Sequence, residues 1–281
     1  MLEETIDRLD FLNPKDIFLA INEKHLALVQ KLCPKIPPEN IIKEPALRDT
    51  APSIGLAAAI IEKNHPGEVM AVIYADHLIK DKKEFQKKLK LAEKIAKKDK
   101  TLNIIEVEAK EPNTHYGYVK LGTSLTNNVY KLDSFKEKPD RVTAEEFVKS
   151  GKYLWNTGIY VWKTSVLLKY YQTLQPKTYK ILQEMVNTNK FTAYPKLEKI
   201  SIDYAIMEKV PAGEVRIIKA DLGWSDIGNF EAIWKELAKN SKSNITRGPV
   251  KLIDCEGCLI YADNQKEISL LAAAVLAFCE T

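Results

Sequence analysis

Val69-Met70-Ala71-Val72-Ile73-Tyr74, then Ala75-Asp76-His77, a charged stretch from Asp81 to Lys100, and finally Leu102-Asn103-Ile104-Ile105-Glu106-Val107-Glu108 form the segment that decides the fold. The two short apolar runs at its ends read as buried strands. Between them Phe85, Leu89, Ala92 and Ile95 recur at spacings of four and three, along one stripe of a helix, and nine lysines fill its other face. Strand, helix and strand in succession form the repeating unit of an α/β sheet. No aromatic residues alternate with the lysines, and a solvated helix face accounts for them without nucleic acid.

The same alternation extends in both directions. Upstream, residues 2–10 are predicted helical, Asp16 to Ile21 a strand, and Glu23 to Leu32 a helix stopped by Pro34. Ile41-Ile42 begins another strand. Pro52 suits the first turn of a helix capped by Asp49 or Thr50, and the small residues from Gly55 to Ile61 suit close packing on a sheet. Downstream, strands are predicted at Val129 to Phe135, Ile159 to Trp162 and Val215 to Lys219. Helices are predicted at Ser165 to Leu174, Ile202 to Lys209 and Gly228 to Ala238, and the Thr143 and Glu146 spacing predicts a capping box. The fold class expected is α/β, an open and mostly parallel sheet with helices on both faces. Residues 1–240 would form one domain and 241–281 the start of a C-terminal β region. An alternating parallel fold ordinarily opens with its central strand, whereas this chain opens in a helix, so a first strand is expected to be missing. The apolar run from Ile268 to Phe278 is expected to need a partner, which suggests an incomplete C-terminus.

Composition narrows the function classes. The 281 residues carry 42 basic and 38 acidic side chains, a net charge of +4, which argues against nucleic acid or an anionic membrane as partner and is compatible with a small anionic substrate. The longest nearly apolar run, Ile268 to Cys279, has 12 residues and is too short to span a bilayer. Met1-Leu2-Glu3-Glu4 does not open a secretory signal, so a cytoplasmic location with reduced thiols is expected. Cys255-Glu256-Gly257-Cys258 has half the spacing of a zinc site, but with no second pair nearby a turn between strands is the simpler reading.

Several short segments carry residue types suited to chemistry. Asp76 follows a strand, where ligands gather in open sheets, and Asp226 lies in Gly223-Trp224-Ser225-Asp226-Ile227-Gly228 ahead of a predicted helix. Each is either a helix cap or a ligand for a hard cation such as Mg2+, and a shared metal would explain both. Glu137-Lys138-Pro139 follows a strand, and Lys138 is either a point charge for a phosphate or half of a solvated ion pair. Asn156, in Trp155-Asn156-Thr157-Gly158, reads sugar hydroxyls or simply closes a turn, and Gly117, in Tyr116-Gly117-Tyr118, would let a ligand approach the backbone. Glu44, in Glu44-Pro45-Ala46-Leu47-Arg48-Asp49-Thr50-Ala51-Pro52, could accept the adjacent N–H donors of guanine or belong to a capped loop.

Taken in order, these segments, with Phe135 to Pro139 and Ser201-Ile202-Asp203-Tyr204-Ala205, resemble the mannose-1-phosphate guanylyltransferase family of sugar-1-phosphate nucleotidyltransferases, from about Leu2 to about Asn264. The resemblance implies a Rossmann-like nucleotide-diphospho-sugar transferase fold that joins GTP to mannose-1-phosphate, giving GDP-mannose and pyrophosphate with Mg2+ as cofactor. A homodimer is compatible with it. It further implies that Asp76 and Asp226 hold the metal, that Lys138 meets the sugar phosphate, that Gly117, Glu137 and Asn156 position the sugar, and that Glu44, Arg48 and Thr50 lie by the nucleotide. The family's glycine-rich phosphate loop has no counterpart before Leu2, and the likeness ends after Lys266. From the lost amide donors a rate defect on the order of hundreds-fold or more is expected.

Overall fold

A computed structural model provides the structure and describes residues 1–228, 230–262, 268–271 and 278–279. The chain divides into two compact units, one of Leu2–Ala75 with Lys80–Leu222, the other of Met1, Asp76–Ile79 and Gly223–Thr281.

The larger unit opens with α1 (Leu2–Asp7), β1 (Leu19–Asn22), α2 (Leu26–Leu32) and β2 (Ile41–Glu44). β1 and β2 pair in parallel, Leu19 opposite Ile41 through Asn22 opposite Glu44. In α3 (Thr50–Asn64) Asp49 is the cap, its carboxylate accepting the Thr50 N–H, and Ala51, Gly55, Ala58 and Ala59 make a face thin enough for close packing. Next come β3 (Val69–Val72), then β4 (His77–Ile79) of the smaller unit, and α4 (Lys82–Asp99), which buries Phe85, Leu89 and Ala92 as its periodicity requires, with Ala96 in the core where Ile95 was expected and Ile95 half-buried. β5 (Leu102–Glu108) has the limits read from sequence.

The polar region after β5 contains two long strands, β6 (Tyr118–Thr126) and β7 (Val129–Lys136), and β6 is invisible to a periodicity search because its far half is solvated. α5 (Arg141–Ser150) differs from the expected capping box: Asp140 is its cap, accepting from both the amide and the hydroxyl of Thr143. A carboxylate at the cap outcompetes a box placed one turn into the helix. β8 (Tyr153–Lys163), α6 (Thr164–Leu174), α7 (Pro176–Thr188) and β9 (Val215–Ala220) complete the unit.

The principal sheet runs β3-β8-β5-β9-β7-β6, and β6 also pairs with the first residues of β8. The α/β class is as expected, but the pairing is mixed. β5–β9 is parallel, while β3–β8, β5–β8, β6–β7, β6–β8 and β7–β9 are antiparallel. The reason is local: β6 and β7 are joined by a hairpin turning at Asn128 with φ 62°, and β8 runs against both β3 and β5. Helices lie on both faces, as strand alternation dictates. Leu102 and Ile104 of β5, Tyr160 and Trp162 of β8 and Ile217 of β9 join Leu56, Leu167, Tyr171 and Leu182 of α3, α6 and α7 in one core, while the intervening Ile105, Ile159 and Ile218 face the other way, the side on which α4 packs against β5, β8 and β9.

In the smaller unit β4 pairs antiparallel with β10 (Trp224–Asp226), ahead of α8 (Phe230–Leu237). Then β11 (Ile245–Arg247), β12 (Val250–Ile253), β13 (Leu259–Tyr261), β14 (Ile268–Leu271) and β15 (Phe278–Cys279) pair in parallel as β11-β13-β15 and β12-β14. The apolar tail expected to lack a partner therefore pairs wherever it is described; residues 272–277 lie outside the described residues, as does Asn229 within the expected 228–238 helix. Cys255 and Cys258 are buried free thiols flanking a turn between β12 and β13, where Gly257 takes φ 70°. Among the described residues no helix is long and apolar enough to cross a membrane.

Candidate functional site

Three groups of the residues read from sequence assemble, two in the larger unit and one in the smaller. The first is set by strand register. Tyr118 at the start of β6 lies between Lys136 of β7 and Trp155 of β8. One residue further along, the same register brings Gly117, Glu137 and Asn156 side by side, with the Asn156 amide donating to the Gly117 carbonyl at 2.8 Å. Tyr116 packs edge-on against Trp155, with centroids 5.3 Å apart, and holds the two segments together. Gly117 is required by this closeness: a Cβ there would stand 2.3 Å from Glu137 Oε2 and 3.2 Å from Asn156 Cβ. Gly158 is required by both conformation and space, since its φ is +71° and a Cβ would meet the Tyr74 ring at 2.4 Å.

Two further carboxyls join this group. Asp203 accepts from Asn156 Nδ2 at 2.9 Å and from the Tyr160 hydroxyl at 2.5 Å. It sits on a π-helical turn, Asp203–Met207, where a helix over 202–209 was expected; such turns occur often at functional sites. Glu106, wholly buried in β5, accepts the Thr157 N–H at 2.7 Å. Sequence reasoning assigned a role to neither, because a carboxyl inside a largely apolar run gives no sign of the partners it will meet.

Burial and mutual repulsion govern the ionisation of this group. Burial first, and then Asp203, push the Glu137 carboxyl up to about 7, with Lys138 opposing. Burial likewise raises Asp203 against its hydrogen bonds from Tyr160 and Asn156, and raises Glu106 strongly. Glu137 Oε2 has no hydrogen-bond partner among the described residues, so one acceptor beside Gly117 and Asn156 stays available. Lys138 is half exposed, with its ammonium 3.7 Å from Glu137 Oε1, too loose a pair to hold much energy. Its backbone takes φ 44°, the left-handed region that costs a β-carbon residue about 1 kcal/mol or more.

The second group surrounds the start of α3. Glu44 Oε2 accepts from the Tyr194 hydroxyl at 2.5 Å and Oε1 from Ser53 at 2.8 Å, which fixes the carboxylate while leaving lone pairs on both oxygens. Arg48 donates to the carbonyl of Pro195. Thr50 Oγ1 accepts the Ile202 N–H at 2.9 Å, so the loop of Glu44 and Arg48 is tied to the turn bearing Asp203.

The third group belongs to the smaller unit. Asp226 lies directly across the β4–β10 ladder from His77, and Asp76 is the next residue along. Antiparallel spacing then puts the two aspartate Cα atoms on the order of 6 Å apart. His77 is buried against the edge of Trp224, with centroids 5.5 Å apart, and anchors this pairing. Asp226 Oδ1 also accepts the Gly228 N–H at 3.0 Å, so the turn-forming role and ligand capacity coexist in one carboxylate. Among the described residues no cluster of three or more His, Cys, Asp or Glu side chains could hold a metal. Two carboxylates fit Mg2+ when phosphate oxygens supply part of its shell.

The larger unit thus combines a mixed α/β sheet with a polar cluster of Glu137, Asn156 and Asp203 and, at the start of α3, a carboxylate fixed by Tyr194 and Ser53. The chain belongs to the nucleotidyl transferase family, whose model matches residues 1–243. It is 33% identical to mannose-1-phosphate guanylyltransferase RfbM of Salmonella typhimurium, across the whole of this chain and 60% of that protein. It is 31% identical to a mannose-1-phosphate guanylyltransferase of Klebsiella pneumoniae, across 94% of this chain and 59% of that one. The chain thus spans about 60% of the length of these relatives. Among solved structures, one from Thermus thermophilus described as mannose-1-phosphate geranyltransferase matches with a TM-score of 0.84 and 26% identity, covering 98% of this chain and 79% of that one.

Proposed function

We propose that this chain transfers a guanylyl group to mannose-1-phosphate, forming GDP-mannose and pyrophosphate from GTP, in the cytoplasm. The observation that carries the reading is the register of β6, β7 and β8, which collects Gly117, Glu137 and Asn156 side by side next to Lys138. The identities to mannose-1-phosphate guanylyltransferases support the choice of substrates.

In this reading the sugar phosphate attacks the α-phosphate of the nucleotide, and no covalent intermediate with the protein is needed, because such transfers rest on positioning and charge neutralisation. Glu137 Oε2 and the Asn156 amide face sugar hydroxyls, with Gly117 making room for the ring. Lys138 meets the phosphate as an exposed point charge. The carboxylate of Glu44, held by Tyr194 and Ser53, accepts the paired N–H donors that guanine presents, while Arg48 and Thr50 shape the loop around the nucleotide. Asp76 and Asp226 would hold Mg2+, which when bound neutralises phosphate charge.

The test is formation of GDP-mannose by the purified chain from GTP, mannose-1-phosphate and Mg2+, alongside calorimetric titration with GDP-mannose and UDP-glucose. Turnover, or binding selective for GDP-mannose, supports the reading. A chain that neither turns over nor binds GDP-mannose overturns it.

A further inference from the structure

β5 and β8 pair regularly through Ile105 opposite Ile159 and resume at Val107 opposite Trp155. Three residues of β8, Asn156, Thr157 and Gly158, therefore face Glu106 alone. A bulge of this size deprives the extra residues of ladder partners, and a buried N–H group left without one is costly. Every amide in the bulge is nevertheless satisfied. Asn156 N–H goes to the Gly117 carbonyl, Thr157 N–H to Glu106 Oε2 at 2.7 Å, and Gly158 N–H to Asn156 Oδ1 at 3.1 Å. The Thr157 hydroxyl donates to the Ile105 carbonyl at 2.6 Å and accepts the Ile159 N–H at 3.2 Å, closing the far side. Of these partners only Glu106 comes from the strand opposite the bulge by way of a side chain, and it does so with no exposure at all. A carboxyl in the middle of a buried apolar strand is expensive, and the bulge is what it serves.

We propose that Glu106 is a positioning residue: it stands in for the ladder partner that the Asn156–Gly158 bulge lacks and so fixes Asn156, whose backbone N–H goes to the Gly117 carbonyl and whose side-chain amide points toward Asp203 and the sugar phosphate. The sugar ligand here is the one proposed above. Glu106 touches no substrate; it acts through Thr157 on Asn156. Its other oxygen, Oε1, has no hydrogen-bond partner among the described residues, so the Thr157 bond is the only one it makes there.

Glu106→Gln keeps an acceptor of the same shape for the Thr157 N–H, whereas Glu106→Leu removes it. The Gln variant should hold the KM values for mannose-1-phosphate and GTP within about twofold of the parent, and the Leu variant should raise the KM for mannose-1-phosphate by roughly tenfold with that for GTP unchanged. Amide hydrogen exchange across residues 154–159 should quicken in the Leu variant and not in the Gln variant. Should the Leu variant fail to fold, Glu106→Asp, one methylene short of Thr157, should raise the sugar-phosphate KM severalfold. Equal changes in both KM values, no change in either, or a Gln variant as impaired as the Leu or Asp one would overturn the proposal. If the parent makes no GDP-mannose, the substrate reading has failed and exchange alone decides: bulge amides equally protected in the parent and in the Leu or Asp variant would overturn the positioning role.

Discussion

Glu137 should make the stability of the larger unit fall as pH rises, and its replacement by Gln should remove that fall. Its carboxyl, raised to about 7 by burial and by Asp203, keeps in the folded state a proton that the unfolded chain releases near its ordinary value. Such a group costs nothing below the unfolded pKa, and its penalty grows as pH rises through the folded one. Between about pH 5 and about pH 8 the loss amounts to roughly 2.5 kcal/mol, from a full penalty near 3 kcal/mol. Glu137→Gln cannot ionise, and it also relieves Asp203 of a neighbouring negative charge. The measurement is denaturant unfolding of parent and variant, followed by tryptophan fluorescence, at the two pH values. The variant should gain on the parent by about 2 kcal/mol or more on moving to the higher pH. A stability difference between them that stays constant across this range would refute the ionisation scheme, whatever its sign.

Four further outcomes are expected. Gly117→Ala, which drives a methyl into Glu137 and Asn156, should raise the KM for mannose-1-phosphate by an order of magnitude or more while the KM for GTP stays put, as steady-state assays would register. Asp226→Asn should raise the Mg2+ concentration needed for half-maximal turnover by about tenfold or more, and metal titration of the rate is the check. Glu44→Gln should weaken GTP by about tenfold, since an amide offers guanine one acceptor oxygen in place of two; unchanged GTP affinity in calorimetry would rule out guanine reading by this residue. Gly55→Val would set a side chain 2.7 Å from Leu182 Cδ1 and 2.9 Å from the Tyr171 ring, and should cost about 1–3 kcal/mol in denaturant unfolding.

The sequence disclosed elements wherever one face was uniformly apolar. α4 and β5 fall within a residue or so of the expected limits because Phe85, Leu89 and Ala92, or Leu102 and Ile104, carry their own periodicity. It did not disclose strand direction, since β8 reads alike whether its neighbours run with it or against it, and β6 hid because its outer half is bathed in solvent. At the site, Gly117, Glu137 and Asn156 were legible as residue types, but their convergence depends on Tyr118 being flanked by both Lys136 and Trp155, a register no local pattern states. Likewise Asp76 and Asp226 are brought near each other only by a three-residue ladder, Asp226 opposite His77, too short to read. Asp203 and Glu106 escaped because a carboxyl inside an apolar run invites no functional reading until its partners are visible.

The π-helical turn at Asp203 makes this part of the chain intolerant of a change in length. Deleting a single residue between 203 and 207 would let the backbone tighten into an ordinary α-helical turn, swinging the side chains on one side of the cut about 100° around the axis relative to those on the other. Asp203 would part from Asn156 and Tyr160, or Ile206 and Met207 would leave the core. Related chains that keep this pocket should accordingly vary in length on either side of the turn and not within it.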